Sequence, residues 1–388
     1  MYIGGEKMKK MIIILCALLI PSCSQFEKSI EVNDTLAQSV NFNNSVAMYN
    51  GERGFYAIGS GLFFIDNSDL KYYNFDTTEV LELSSLSFCD DKSIKKNESC
   101  DVKNYSESIQ TFSILQVYNN QIYYPTERYD IKNGFSYVLN TVDLIGDNKE
   151  TIYTFEDDIY NYLLHREKLV YLRSDNSSIT IIDLDSKQKE LYFEYPMGSI
   201  SRITAKGDYI YFVAIDNTRE DKNTDIYRYN IDAQVMNVEM SVSIIDFPLI
   251  TDDYIMETEF NMPPSSIEKN PNFNYYNTYL INRDTNERLD LGTNHELIHM
   301  DSTYYYFTNK IYAYLNPEVN LEFIITDHNL NVLKEIEIPN ATNNDYLTVV
   351  NDNFAVLNKF IFLPDGQFVE YYICDYWSDN PEFIKITE

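Results

Sequence analysis

The chain has 388 residues, 44% of them hydrophobic, which supports a packed core and excludes disorder along most of its length. Lys and Arg number 30 against 60 Asp and Glu, a net charge of −30, and so acidic a surface excludes nucleic acid and adsorption to anionic lipid. The 34 Tyr and 22 Phe beside a single Trp are the composition of half-buried strands rather than helices.

At the start of the chain, Lys9 and Lys10 precede an apolar run over residues 11–20 that leads into Pro21, Ser22 and Cys23. A cationic start, a short apolar centre and a small residue before the cut make a secretory signal, and the run is too short to span a bilayer. Ile20-Pro21-Ser22-Cys23 resembles a bacterial lipobox, which implies cleavage before Cys23 and lipidation of its thiol. The expected organisation is a lipoprotein signal peptide at 1–22, a lipidated tether at 23–44 and one domain at 45–388. The chain is then extracytoplasmic, anchored to a bacterial membrane by its N-terminal lipid. Gly4-Gly5-Glu6-Lys7 reads as a ribosome-binding site translated in frame, so Met8 is the expected start of translation.

Cys16 leaves with the signal, and Cys89 and Cys100 bracket a short polar loop. In an oxidising compartment these two are expected to form a disulfide, worth at most ~3 kcal/mol from loop closure. Cys374 lies in an apolar run and is expected to be buried and inert.

From about residue 45 one unit recurs seven times: an aromatic-rich strand, an apolar strand ending in Asp, a turn and a closing strand. The second component reads Lys71-Tyr72-Tyr73-Asn74-Phe75-Asp76 in its first copy, Thr180-Ile181-Ile182-Asp183-Leu184-Asp185 in another and Tyr371-Tyr372-Ile373-Cys374-Asp375 in its last. The closing strands are expected at 79–83, 150–155, 189–195, 235–242, 287–291, 332–339 and 382–387. Such a unit exposes apolar faces on both sides and is stable only against its neighbours. The expected fold is therefore all-β, a seven-bladed β-propeller of four-stranded antiparallel blades. The unit, matched best over residues 209–232, resembles the bacterial propeller-repeat domains distantly related to the YWTD propellers of lipoprotein receptors. That resemblance implies the same fold and an extracytoplasmic setting.

One motif carries a chemical implication. His295-Glu296-Leu297-Ile298-His299 matches H-E-x-x-H, which on a helix places two imidazoles on one face for zinc and a glutamate beside the metal-bound water. Gly292 and Asn294 before it and Asp301-Ser302-Thr303 after it leave no room for such a helix. The segment falls where each unit places its first strand, and in a strand residues four apart share a face ~13 Å apart, too far for one ion. His295, Glu296 and His299 thus define an alternative reading as a zinc hydrolase, with Glu318 or Glu322 as a third ligand.

His165 and His328 read as surface or turn residues, and Asp183 and Asp185 as caps of a turn. Calcium is a further candidate, at Glu156-Asp157-Asp158 or in the loop 216–225. No nucleophile elbow, phosphate loop or dinucleotide fingerprint occurs, and no cofactor is expected. The leading expectation is a non-enzymatic binding module for an envelope protein, peptide or glycan, and a scaffold of an envelope or transport complex is the alternative. The excursions at 90–107, 217–224 and 261–274 mark the expected binding face.

Overall fold

A computed structural model describes residues 55–387 except 59–60, 67–68, 86–104, 109–114, 131–133, 145–147, 217, 219–222, 244–249, 252, 261–275, 310–319, 339–344, 351 and 364–365. The described residues belong to one compact unit, Val32–Glu388. The expected signal peptide, Cys23, the tether and the Cys89–Cys100 pair lie outside them.

Seven antiparallel sheets follow one another along the chain, and within each the strands are hydrogen-bonded in sequence order. They are blades 1 to 7, at residues 55–85, 105–154, 159–194, 198–243, 250–293, 296–338 and 346–385. Blade 2 splits its first strand into Tyr105–Ser108 and Gln116–Tyr118, which pair with the two ends of Gln121–Asp130. In blade 5 the described part of the first strand is a bridge between Ile250 and Ile255. The sheets form a β-propeller, with the first strands adjacent around the axis and the fourth strands outermost. Val332 on a fourth strand is 58% exposed, whereas Leu172 and Phe212 on second strands are fully buried.

Packing between the blades follows from strand alternation, since each sheet turns one row of apolar side chains to either neighbour. Between blades 3 and 4, Val170, Ile181, Ile203 and Phe212 meet; between 6 and 7, Tyr306, Phe323, Leu347 and Leu357 do the same. The ring closes where Phe55, Phe64 and Phe75 of blade 1 meet Val356 and Tyr371 of blade 7. Phe75 stacks on Phe354 there with ring centroids 4.4 Å apart.

Each third strand ends on an Asp or Asn with a local task, and in blades 1, 3, 4 and 5 this residue stands two positions before the Asp expected from the sequence. Every third strand stops on it: Asn74, Asp143, Asp183, Asn230, Asn282, Asp327 and Asp375. Its side-chain oxygen accepts backbone N–H groups of the turn that follows, as Asn74 does from Asp76 and Thr77, and Asn282 from Asp284 and Thr285. Asp183 accepts from Ser186 in the same way, while Asp185 stands exposed on the turn. Later in these turns the chain enters the left-handed region at a non-glycine residue, at Thr78, Lys187, Gln234 and Asn286 with φ of 58°, 58°, 53° and 58°. That conformation costs about 1–2 kcal/mol for a residue with a Cβ. Gln234→Gly is expected to raise stability by about 1 kcal/mol, read as a higher denaturant midpoint at unchanged slope.

The fourth strands share a second device. In six blades the third-to-fourth pairing slips by one residue, for example between Ile181 and Ile182 in blade 3 and between Ile226 and Tyr227 in blade 4. The extra residue is Glu190 in blade 3 and Glu239 in blade 4, and a bulge re-aims such a residue. Both carboxylates are thereby brought to basic partners: Glu190 lies 2.7 Å from Lys168, and Glu239 pairs with Arg283.

Candidate functional site

Because the strands alternate in direction and every blade begins at the same end, the two faces of the ring differ. One carries the first-to-second and third-to-fourth turns. The other carries the second-to-third connections and the links between blades. All three excursions singled out in the sequence leave from strand ends on this second face, although most of their residues lie outside the described ones.

Among the described residues, this loop-bearing face carries three exposed apolar side chains in blades 3 and 4. Tyr160 is 53% exposed, Met197 50% and Ile215 38%. Tyr160 is the extra residue of a bulge between Ile159 and Asn161 in the first strand of blade 3, which turns it out of the core. Met197 precedes the first strand of blade 4, Gly198–Lys206, and Ile215 lies near the end of the second, Tyr209–Asp216. The sequence carried no signal for Tyr160, since a bulge is invisible to a period of two.

Charged groups of blade 3 lie toward the same face. Glu156 accepts from Lys189 at 2.8 Å, and Arg173 contacts Asp175 at 3.1 Å and Asp157 at 3.9 Å. The first calcium candidate is thus bound up with basic side chains. In the second, Asp216 accepts the N–H and hydroxyl of Thr218, and Asp225 accepts from Ser241. Among the described residues no three metal-ligating side chains come together.

The H-E-x-x-H segment forms a strand, Glu296–Met300, the first of blade 6. A shift in register between Leu297 and His299 corrects the expectation that its histidines share a face. His295 meets the edge of Phe307, which packs toward blade 5. His299 lies 5.2 Å from the Tyr306 ring, which packs toward blade 7. Glu322 accepts from the Asn309 amide at 2.9 Å, and Glu318 lies outside the described residues.

His299 is 9% exposed, its Nδ1 has no hydrogen-bond partner among the described residues, and burial holds its pKa down at about 4. Between about pH 6.5 and 4 the unfolded chain therefore takes up a proton that the folded chain refuses. Stability is expected to fall as pH drops through that window. His299→Phe should flatten this slope in a series of urea titrations, and an unchanged slope would refute the assignment.

The other histidines separate. His165, expected at the surface or in a turn, is 4% exposed, and its Nε2 donates to the Gly207 carbonyl of blade 4 at 2.8 Å. The expectation fails because the turn of the next blade covers it. His328 is exposed and stacks on Tyr305 at 4.5 Å. Cys374 is fully buried, and burial pushes its thiol up to about 12, far from the thiolate that reactivity requires.

No known family model matches the chain, and no curated protein matches it. Solved structures do resemble it. The β-propeller domain of a trilobed protease from Pyrococcus furiosus is 11% identical over 70% of this chain and 85% of that one, with a TM-score of 0.47. An acylaminoacyl peptidase from Pyrococcus horikoshii is 15% identical over 75% of this chain, TM-score 0.49, and the match spans 47% of the peptidase. An oligogalacturonate lyase from Vibrio parahaemolyticus is 10% identical over 72% of this chain and 79% of that one, with a TM-score of 0.46. At such identities the likeness is one of fold. It nevertheless corrects the expectation that the chain is no enzyme. Chains similar to it include a lyase and a peptidase. What the chain is shown to be is a seven-bladed β-propeller.

Proposed function

We propose that this propeller is a binding module, held at a bacterial membrane through lipid on Cys23, that presents its loop-bearing face to an envelope protein. The observation that carries the reading is that Tyr160 and Met197 are exposed on the face where Arg173 ends the second strand of blade 3. Tyr, Met and Arg are enriched where proteins meet, and an outward-turned aromatic side chain is a common anchor of such contacts. The flanking Glu156, Asp157 and Asp175 supply a polar rim.

Tyr160→Ala and Met197→Ala together are expected to leave stability within about 0.5 kcal/mol, because both side chains already face solvent. A photo-crosslinking residue at position 197 should give a discrete protein adduct in intact cells, and one at Val238 on an outer strand should not. Adducts from 238 with none from 197 would sink the reading.

A further inference from the structure

Blades 1 and 7 meet through an apolar cluster in which the rings of Phe64 and Tyr371 lie 5.6 Å apart. In a pleated sheet, residues opposite in register share a face, as do residues two apart along a strand. Lys71 lies opposite Phe64, and Asp66 is two residues beyond Phe64 on the same strand. On blade 7, Asn358 lies opposite Tyr371, and Thr348 opposite Val356. All four polar residues therefore belong to the two sheet faces that form the seam.

All four are buried, with exposures of 7% for Asp66, 6% for Lys71, 0% for Asn358 and 1% for Thr348. Lys71 donates to Asp66 at 2.9 Å, so that pair is neutral as a unit. Asn358 is different. Neither its amide nitrogen nor its amide oxygen has a hydrogen-bond partner among the described residues, and the Thr348 hydroxyl has none either. An amide left dry in such a place costs about 2–7 kcal/mol. Native interiors meet that cost with ordered water, provided several polar groups converge on it.

We propose that the seam between blades 1 and 7 holds a buried water-binding site, with the Asn358 amide and the Thr348 hydroxyl as its principal ligands. Asn358 offers one donor group and one acceptor, and Thr348 a hydroxyl that serves as either. This set matches a water molecule, which needs both. With Lys71 already paired to Asp66, the site has no net charge with which to hold an ion.

A crystal structure of the full chain tests this directly. The expected result is an ordered water about 2.9 Å from an Asn358 amide atom and also bonded to Thr348. No water at that place, or an Asn358 amide bonded only to protein groups, would overturn the proposal. Thermal unfolding of Asn358→Leu, which keeps the branching of the side chain and removes both polar atoms, gives an independent reading. A hydrated site predicts a melting temperature lower by about 2 °C or more, because the water loses its partners. An unchanged or higher value would mean that the amide was a dry orphan, and would equally overturn it.

Discussion

Arg283→Ala is expected to destabilise the protein by about 3–5 kcal/mol, the range for breaking a buried ion pair from one side. Arg283 begins the turn after the third strand of blade 5 and reaches into the seam with blade 4. Its Nε donates to Glu239 at 2.7 Å, Nη1 to the Thr251 carbonyl at 2.6 Å and Nη2 to the Tyr211 hydroxyl at 2.9 Å. The Arg283 side chain is 12% exposed and that of Glu239 10%. Removal leaves Glu239 buried with Arg228 at 3.4 Å as its remaining cationic partner.

Arg283→Lys should recover less than half of the loss, since one ammonium cannot serve three separate acceptors in a fixed fork. Arg173→Ala supplies the contrast. Its ion pairs are solvent-exposed, and such pairs contribute about 0–1 kcal/mol. Urea midpoints at constant slope measure all three variants. Equal losses for Arg283→Ala and Arg173→Ala would show that water replaces the buried network.

Phe64→Ala is the second large effect, with an expected loss of about 3–5 kcal/mol from a fully buried ring. Its consequence should be local. Every other pair of neighbouring blades is also joined by the chain. Blades 7 and 1 are not, and each completes its sheet from its own strands. Among the described residues they meet through the apolar cluster of Phe55, Phe64, Phe75, Val356 and Tyr371. Hydrogen exchange in Phe64→Ala should therefore accelerate first in blades 1 and 7, while blades 3 and 4 stay protected. Phe212→Ala, a ring of equal size between blades 3 and 4, should cost as much without that pattern. Uniform exchange in both variants would show that the ring opens as a whole.

Much of the fold was legible in the residues. Strand alternation and the Asp near the end of each third strand are local signals, and they placed the closing strands within a few residues of those observed. Asn282, for example, needs only the turn after it to act as a cap. The loop-bearing face was legible in part, because the three excursions that mark it interrupt the repeat and could be counted.

The bulges could not be read. At Tyr160 one extra residue turns an aromatic side chain to solvent, and at Ile298 another sends His295 and His299 to opposite faces of blade 6. At Glu239 a third brings a carboxylate inward to Arg283, 44 residues away. By itself the sequence determined the repeat, its seven copies and the turn chemistry, because these depend on neighbours along the chain. Only the tertiary structure decided which side chains meet across the seams. A one-residue slip inverts the face of every residue beyond it, and the energy that selects the slip comes from the adjoining blade.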